Sequence, residues 1–287
     1  MYFVDYHSDD YASSLNASKR ILELVREGRL NSISILPNMS CYEECMEYLK
    51  KNWDSLPNKP YISIHVNLVD GMSLSGKYRA SSWGKLFLRS YIPGIRHAVL
   101  KNKLTDEIKA QIKKVYEDLP EGVGLRLDSH VHTHMIPIVF DAMLKAVEEL
   151  GLFKKLEFVR VSKEPFLMFF TTGGVVGTFP LTNVIKNVIL NFLSGRCIRK
   201  LREKTISYGY ILGLIMSGRM DKERIDRLAP KVISYMKKRD MYFEIVCHPG
   251  IVLKDENLDD FSEGDRAFQI SENRNIEYDG ALKRTGL

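Results

Sequence analysis

Residues 125–134, Leu-Arg-Leu-Asp-Ser-His-Val-His-Thr-His, are the stretch on which the fold prediction depends. We predict a β-strand here, and alternate residues of a strand point to the same side. His130, His132 and His134 would then share one face with Asp128. Neutral imidazole is the commonest protein ligand for a divalent cation. The stretch therefore favours a metal site on a strand, and a solvated strand edge without a metal is the alternative.

Strands and helices alternate on both sides of this stretch. Further strands are predicted at residues 2–8, 32–36, 61–66, 156–161, 208–214 and 243–247, and helices at 13–27, 40–52, 104–115, 139–150, 183–204 and 222–238. Seven such units without a break in composition predict one α/β domain over residues 1–287. We expect a deformed, TIM-like (β/α) barrel of about seven parallel strands, because candidate ligands recur at the ends of several strands.

One segment departs from the alternation, a second is expected to be variable, and one helix start carries a capping signal. Residues 71–103 have no clear period and are expected to form a long βα loop that acts as a lid or binding loop. Residues 165–220, which include the helix predicted at 183–204 and the strand predicted at 208–214, are expected to be a variable segment. Ser40 and Glu43 have the spacing of a capping box, which would begin the second helix.

Composition and charge are typical of globular proteins and exclude several classes. The chain is 45% hydrophobic and 27% charged, with a net charge of +6. The densest basic cluster, residues 196–204, lacks interleaved aromatic residues, so no nucleic-acid partner is expected. No apolar run is long enough to span a bilayer, and we expect no membrane partner. The four cysteines suggest neither disulfides nor structural zinc, and no signal peptide is evident, so a cytoplasmic location is expected.

Four segments place metal-binding or proton-transferring side chains at predicted strand ends. They are Asp9-Asp10, His65, the histidine stretch and His248. A catalytic metal needs about three protein ligands and an open position for water. One carboxylate and two imidazoles suit zinc, manganese or similar ions better than calcium. With a second carboxylate as base and a histidine as acid, the set predicts metal-assisted hydrolysis of an amide or ester. Spacing alone leaves open which of the three clustered histidines binds the metal.

These segments also resemble the YdjC-like carbohydrate deacetylases, a family that includes the chitooligosaccharide deacetylases. The similar motifs, in order between residues 1 and about 250, are Ser8-Asp9-Asp10-Tyr11, His65-Val66-Asn67-Leu68 with Asp70-Gly71, Leu127 to His134 with Pro137, and Cys247-His248-Pro249-Gly250. The resemblance implies a deformed (β/α) barrel and one divalent metal ion, magnesium or zinc. It also implies removal of acetyl groups from N-acetylated sugars or short oligosaccharides that contain N-acetylglucosamine.

The resemblance also assigns roles to individual positions. It implies Asp10, His65 and His130 as metal ligands, Asp9 as general base and His248 as general acid. His132, His134 and Asp128 would orient the site or touch the substrate. Arg160 resembles an arginine that could hold Asp9 ionised, and a surface arginine is the alternative.

Some positions depart from the family pattern. His7 stands where the family usually has Asn, and Arg126 where a histidine is frequent, so both could reshape the sugar pocket. Residues 165–220 match poorly, and substrate specificity is expected there and in the 71–103 loop. Trp83 in that loop is expected either to stack on a sugar or, as is commoner for such a residue, to pack in the core or at a dimer contact.

Two other functions compete with the deacetylase. One is a metal-dependent phosphoesterase with a His-x-His site, which would bind more than one ion. The other is a non-catalytic sugar-binding protein with a vestigial site. Binding alone would need neither Asp9 as a base nor His248 as an acid. The sequence leaves open the native metal, the sugar with its length and phosphorylation, and the oligomeric state, for which a homodimer is one alternative.

Overall fold

Seven parallel strands close a barrel in the computed structural model, which describes residues 3–175 and 177–285. The strands are β1 (Phe3–Tyr11), β2 (Ser32–Ile35), β3 (Tyr61–Val66), β4 (Leu125–Ser129), β5 (Leu156–Arg160), β6 (Tyr208–Leu212) and β7 (Tyr242–Cys247). They are adjacent in chain order, and β7 pairs with β1 to complete the ring. The predicted α/β barrel is confirmed. Tyr2, placed in the first strand by the sequence analysis, lies outside the described residues.

Helices connect the strands and cover the barrel. They are α1 (Leu15–Arg26), α2 (Tyr42–Trp53), α3 (Trp83–Arg89), α4 (Ile95–Asp118), α5 (Pro137–Glu149), α6 (Leu167–Phe170), α7 (Leu181–Glu203), α8 (Lys222–Lys237), α9 (Glu263–Gln269) and α10 (Asn273–Lys283). The long loop expected at residues 71–103 contains α3 and the first two turns of α4. Among the described residues, no helix combines the length and apolar character needed to cross a bilayer.

The apolar core lies between the strands and the helices, whereas polar side chains fill the barrel. Ile33, Ile62 and Leu127 are fully buried in the apolar core. The barrel interior instead contains mutually contacting polar and charged groups, described below. This division follows from the two-residue period of a strand, which sends alternate side chains to opposite faces.

Two local predictions are wrong. The first is the capping box, because α2 follows Cys41 without a side-chain cap and the Ser40 hydroxyl accepts a hydrogen bond from Asn257 Nδ2 at 2.7 Å. The second is the strand to His134. β4 ends at Ser129, and residues His130–Met135 form a 3₁₀ turn in which Val131 and His132 have positive φ angles. The His134 N–H donates to Ser129 Oγ at 2.8 Å, which holds the turn closed. The three imidazoles therefore do not share one strand face.

Candidate metal centre

A cavity of about 200 Å³ lies at the carboxyl ends of the barrel strands. Its walls include Asp9, Asp10, His65, His130, His132 and His248. These residues come from β1, β3, the turn after β4 and the loop after β7. They meet because all strands of a parallel barrel end on the same side. The structure thus brings the residues from all four sequence segments into one place.

Asp10, His65 and His130 form one compact group of possible metal ligands. Asp10 Oδ1 lies 3.6 Å from His65 Nε2 and 3.0 Å from His130 Nδ1. Ligands that each lie about 2.1 Å from one ion are separated by about 3.0 to 3.6 Å, so the spacing fits. The backbone of Asp10 has a φ of 65°, a left-handed conformation that turns the chain at this point. A carboxylate with two imidazoles also has the right donor chemistry for a zinc-like ion.

Asp128 orients His65 from below. His65 Nδ1 donates to Asp128 Oδ1 at 2.7 Å, which leaves Nε2 directed towards Asp10. The Ser34 hydroxyl donates to the other oxygen of Asp128. Carboxylates in this position fix the tautomer and angle of a metal-binding histidine. Asp128 thus has the geometry of a positioning residue rather than of a ligand.

The carboxyl-terminal helices supply further partners of Asp10. Arg274 Nη1 donates to Asp10 Oδ2 at 3.0 Å, and Gln269 Nε2 lies 3.3 Å from the same oxygen. Burial acts to raise the pKa of Asp10, but His130 and Arg274 hold it well below its usual value. Asp10 is therefore an anion even though it is buried.

Two further carboxylates, those of Asp70 and Asp265, lie near the other ring nitrogen of His130. His130 Nε2 lies 3.2 Å from Asp265 Oδ2 and 3.4 Å from Asp70 Oδ2. Asp70 Oδ2 is buried and has no hydrogen-bond partner in the described part of the chain. Burial lowers the pKa of His130, but Asp265 and Asp10 outweigh it and raise the pKa well above its usual value. This concentration of carboxylates, one of them unsatisfied, also fits a bound cation.

Arg160 pairs with Asp9 inside the barrel. Arg160 Nη1 donates to both oxygens of Asp9, at 2.8 and 2.9 Å. Burial acts to raise the pKa of Asp9, but Arg160 and then His65 hold it well below its usual value. Arg160 also donates through Nε to Glu244 Oε2 at 2.7 Å, and its side chain is fully buried. The alternative of a surface arginine is wrong.

His248 lines the cavity and is held by Glu277 of α10. Its Nδ1 is 3.1 Å from Glu277 Oε2, and its Nε2 is 3.9 Å from Asp9 Oδ2. Burial lowers the pKa of His248, but Glu277 and Asp10 outweigh it and raise the pKa above its usual value. His248 is thus placed to carry a proton into the cavity.

The remaining two histidines of the stretch have different surroundings. His132 Nδ1 contacts Ser162 Oγ at 3.0 Å, and burial with Lys186 nearby lowers the pKa of His132 well below its usual value. It therefore presents a neutral imidazole to the cavity. His134 lies outside the cavity and contacts the carbonyl oxygen of Arg160 through Nε2 at 2.9 Å.

Neither His7 nor Arg126 lines the cavity, so an effect of either on the sugar pocket stays a prediction. His7 is buried below Asp9, 3.1 Å from its Oδ1. Arg126 pairs with Asp5 at 2.9 Å near the amino-terminal ends of the strands. Sequence reasoning also missed the contributions of α9 and α10, which are Asp265, Gln269, Arg274 and Glu277. Only their polar, helical character was visible in the sequence.

Trp83 does not line this cavity. It stacks on Phe87 with ring centroids 5.1 Å apart and lines a neighbouring groove of about 590 Å³. The groove adjoins the cavity, because Val131, Lys186 and Asp265 line both.

Comparison with known proteins identifies the family. The family model described as YdjC-like protein matches residues 6–284. The chain belongs to the YdjC-like family. This family is related to carbohydrate deacetylases, and membership indicates a carbohydrate-processing enzyme. The resemblance drawn from the four motifs is thereby confirmed.

A solved structure supports the fold of this YdjC-like chain. It is described as a "putative cellobiose-phosphate cleavage protein" from Enterococcus faecalis and has a TM-score of 0.60. The two are 15% identical, and the match covers 98% of this chain and 90% of that chain. At this identity the likeness shows the barrel fold alone. No curated protein matches the sequence.

Proposed function

We propose that the protein is a metal-dependent hydrolase that removes acetyl groups from N-acetylated sugars or short oligosaccharides, including those that contain N-acetylglucosamine. The observation that carries this proposal is the placement of Asp9 and His248 beside the Asp10–His65–His130 group in one cavity. A base and an acid beside a metal-binding set are what amide hydrolysis needs. Membership in the YdjC-like family supports a carbohydrate as the substrate.

Asp10, His65 and His130 would hold one divalent ion, magnesium or zinc. When bound, the ion supplies Lewis acidity that makes a water molecule nucleophilic near neutral pH. Asp128 and Arg274 keep His65 and Asp10 in position for this task through the contacts described above.

Two side chains of the cavity would transfer the protons. Asp9 accepts a proton from the attacking water while the water oxygen bonds to the acetyl carbon. His248 then donates its proton to the amide nitrogen as the C–N bond breaks, which releases the free amino sugar and acetic acid. The acetic acid loses its proton to solvent and leaves as acetate. Transfer of the proton from Asp9 to His248 restores both groups, and His248 Nε2 lies 3.9 Å from Asp9 Oδ2.

The test is release of acetate from acetylated mono- and disaccharides, with and without a phosphate group. The protein is first stripped of metal and then reloaded with zinc or magnesium. We expect turnover only after reloading. Asp9→Asn should retain the metal and lose turnover by about 10²–10⁴-fold, because its base is gone. The exposed Asp54→Asn is the matched control.

Absence of acetate from every sugar with fully metal-loaded protein would count against the deacetylase. Unchanged turnover in Asp9→Asn would refute Asp9 as the base and leave the deacetylase itself in place.

One observation favours the phosphoesterase as a second candidate. Asp70, His130 and Asp265 form another group with metal-binding spacing beside the first. Two ions per chain by elemental analysis, with phosphate release from p-nitrophenyl phosphate and no acetate release, would select this alternative.

A further inference from the structure

The segment before β4 has an unusual charge. Residues 71–105 contain seven lysine and arginine residues and no aspartate or glutamate. Because the whole chain carries +6, the remaining residues together carry −1. Lys77 pairs with Asp106 at 2.9 Å. Within the described residues, the other six make no ion pair with a carboxylate; they are Arg79, Lys85, Arg89, Arg96, Lys101 and Lys103.

The same segment exposes large apolar side chains at the end of α3 and the start of α4. Their exposed fractions are 69% for Leu88, 59% for Tyr91, 45% for Ile92, 84% for Ile95 and 48% for Val99. Ile95 and Val99 are one helical turn apart, so they lie on one face of α4. A contiguous apolar patch with a charged rim usually marks an interaction surface.

A cavity of about 540 Å³ connects the basic and apolar groups. Its walls include Arg79, Arg89, Arg96 and Lys103 beside Ile92 and Ile95. Among the described residues, no acidic side chain lines it. Such a cavity matches a ligand with an anionic head and an apolar body.

Charge argues against a second copy of this chain as the occupant. A two-fold contact between two copies would place the six unpaired cations of one copy opposite the same six cations of the other. Another part of the chain exposes Leu167, Phe170, Leu181, Ile185, Val188 and Phe192, and the sequence from 165 to 195 contains no acidic residue either. Contact with that surface would also leave the cations without counter-charge.

We propose that residues 77–103 dock on an anionic lipid bilayer surface. Arg89 and Arg96 bind lipid phosphates, while Ile92, Ile95 and Val99 enter the headgroup region. This combination of basic and aliphatic side chains is typical of segments that lie in the bilayer interface. This proposal departs from the expectation of no membrane partner, which rested on the lack of a segment long enough to span a bilayer; docking on the surface needs no such segment.

Docking would also place the functional site near the bilayer. Ser81, Ser82 and Trp83, within the docking segment, line the groove that adjoins the candidate metal centre. The mouth of the site would therefore open beside the membrane surface.

The test is sedimentation of the full chain with lipid vesicles. We expect binding to equal parts of phosphatidylcholine and phosphatidylglycerol, no binding to phosphatidylcholine alone, and release at high salt. Each basic residue near the surface strengthens binding about fivefold, so Arg89→Glu with Arg96→Glu should weaken it about 25-fold or more. Ile95→Ser should weaken binding without a change in charge.

Lys51→Glu with Lys254→Glu is the matched control, because it makes the same change in net charge at exposed positions elsewhere. Thermal unfolding of every variant verifies folding. Failure to sediment with the mixed vesicles at low salt overturns the proposal, as does equal weakening in the control. Binding to polyglutamate but not to the vesicles would point to an acidic protein partner instead. Conversion of a dimer to a monomer by Ile95→Ser, without vesicle binding, would assign the surface to a second copy.

Discussion

Replacement of Arg160 by methionine should destabilise the barrel and reverse the pH dependence of its stability. The Arg160 guanidinium lies within 3 Å of oxygens of Asp9, Asp128 and Glu244. All four side chains are buried. Arg160→Met keeps most of the side-chain volume and leaves three buried carboxylates without their main counter-charge.

The magnitude follows from the burial of these charges. Removal of one partner from a buried ion pair costs about 3–5 kcal/mol. A chain of 287 residues has an unfolding entropy of about 0.6 kcal/mol per kelvin. We therefore expect the melting temperature to fall by about 5–8 °C near neutral pH. Arg199→Met is the control, because that side chain is 70% exposed and its pairing with Glu203 contributes little.

The pH dependence separates loss of charge pairing from loss of packing. In the wild type, burial opposes ionisation of Glu244, but Arg160 and His7 lower its pKa to about 2. This stabilisation is present above the unfolded-state pKa of about 4.5 and is lost as the pH falls towards 2. In the variant, burial without Arg160 raises the pKa of these carboxyl groups above their unfolded-state values. Stability is then highest at low pH and falls as the pH rises.

Thermal unfolding followed by circular dichroism at several pH values between 5 and 8, with a chelator present, measures both effects. Acidification from neutral pH should raise the melting temperature of Arg160→Met relative to that of the wild type at the same pH. A pH profile parallel to that of the wild type would refute the argument from unpaired carboxylates. A fall in the melting temperature no larger than that of Arg199→Met would also refute it.

Three further predictions concern the acid, the positioning of a ligand and the packing of α10. His248→Gln should slow amide hydrolysis by about 10²–10⁴-fold, because the leaving nitrogen loses its proton donor. Hydrolysis of p-nitrophenyl acetate should slow much less, since its leaving group needs no proton. Steady-state kinetics on both substrates measure this difference. Asp128→Asn should weaken metal binding about 10–100-fold in calorimetric titration, because His65 loses its orienting carboxylate. Gly280→Ala should lower the melting temperature, since an added Cβ would lie 2.1 Å from the carbonyl oxygen of Met220, whereas Gly264→Ala, which meets nothing within 4 Å, should not.

The sequence was sufficient to predict the barrel fold and the approximate position of the candidate metal centre. Strand and helix periods are local properties, so the order of elements can be read directly from the chain. Asp9 and His65 lie close to the carboxyl ends of their strands and His248 directly follows one, and parallel strands end at one side of a barrel. Their convergence therefore needed no knowledge of side-chain contacts.

Only the tertiary structure decided which groups face one another. His130, His132 and His134 are equivalent by spacing, but the chain leaves the β conformation at His130, so each imidazole points to different neighbours. Arg160 meets Asp9 across 151 positions of the chain, and Arg274 meets Asp10 across 264. Such pairs depend on how the barrel closes and where α10 packs, and no local pattern in the sequence records either.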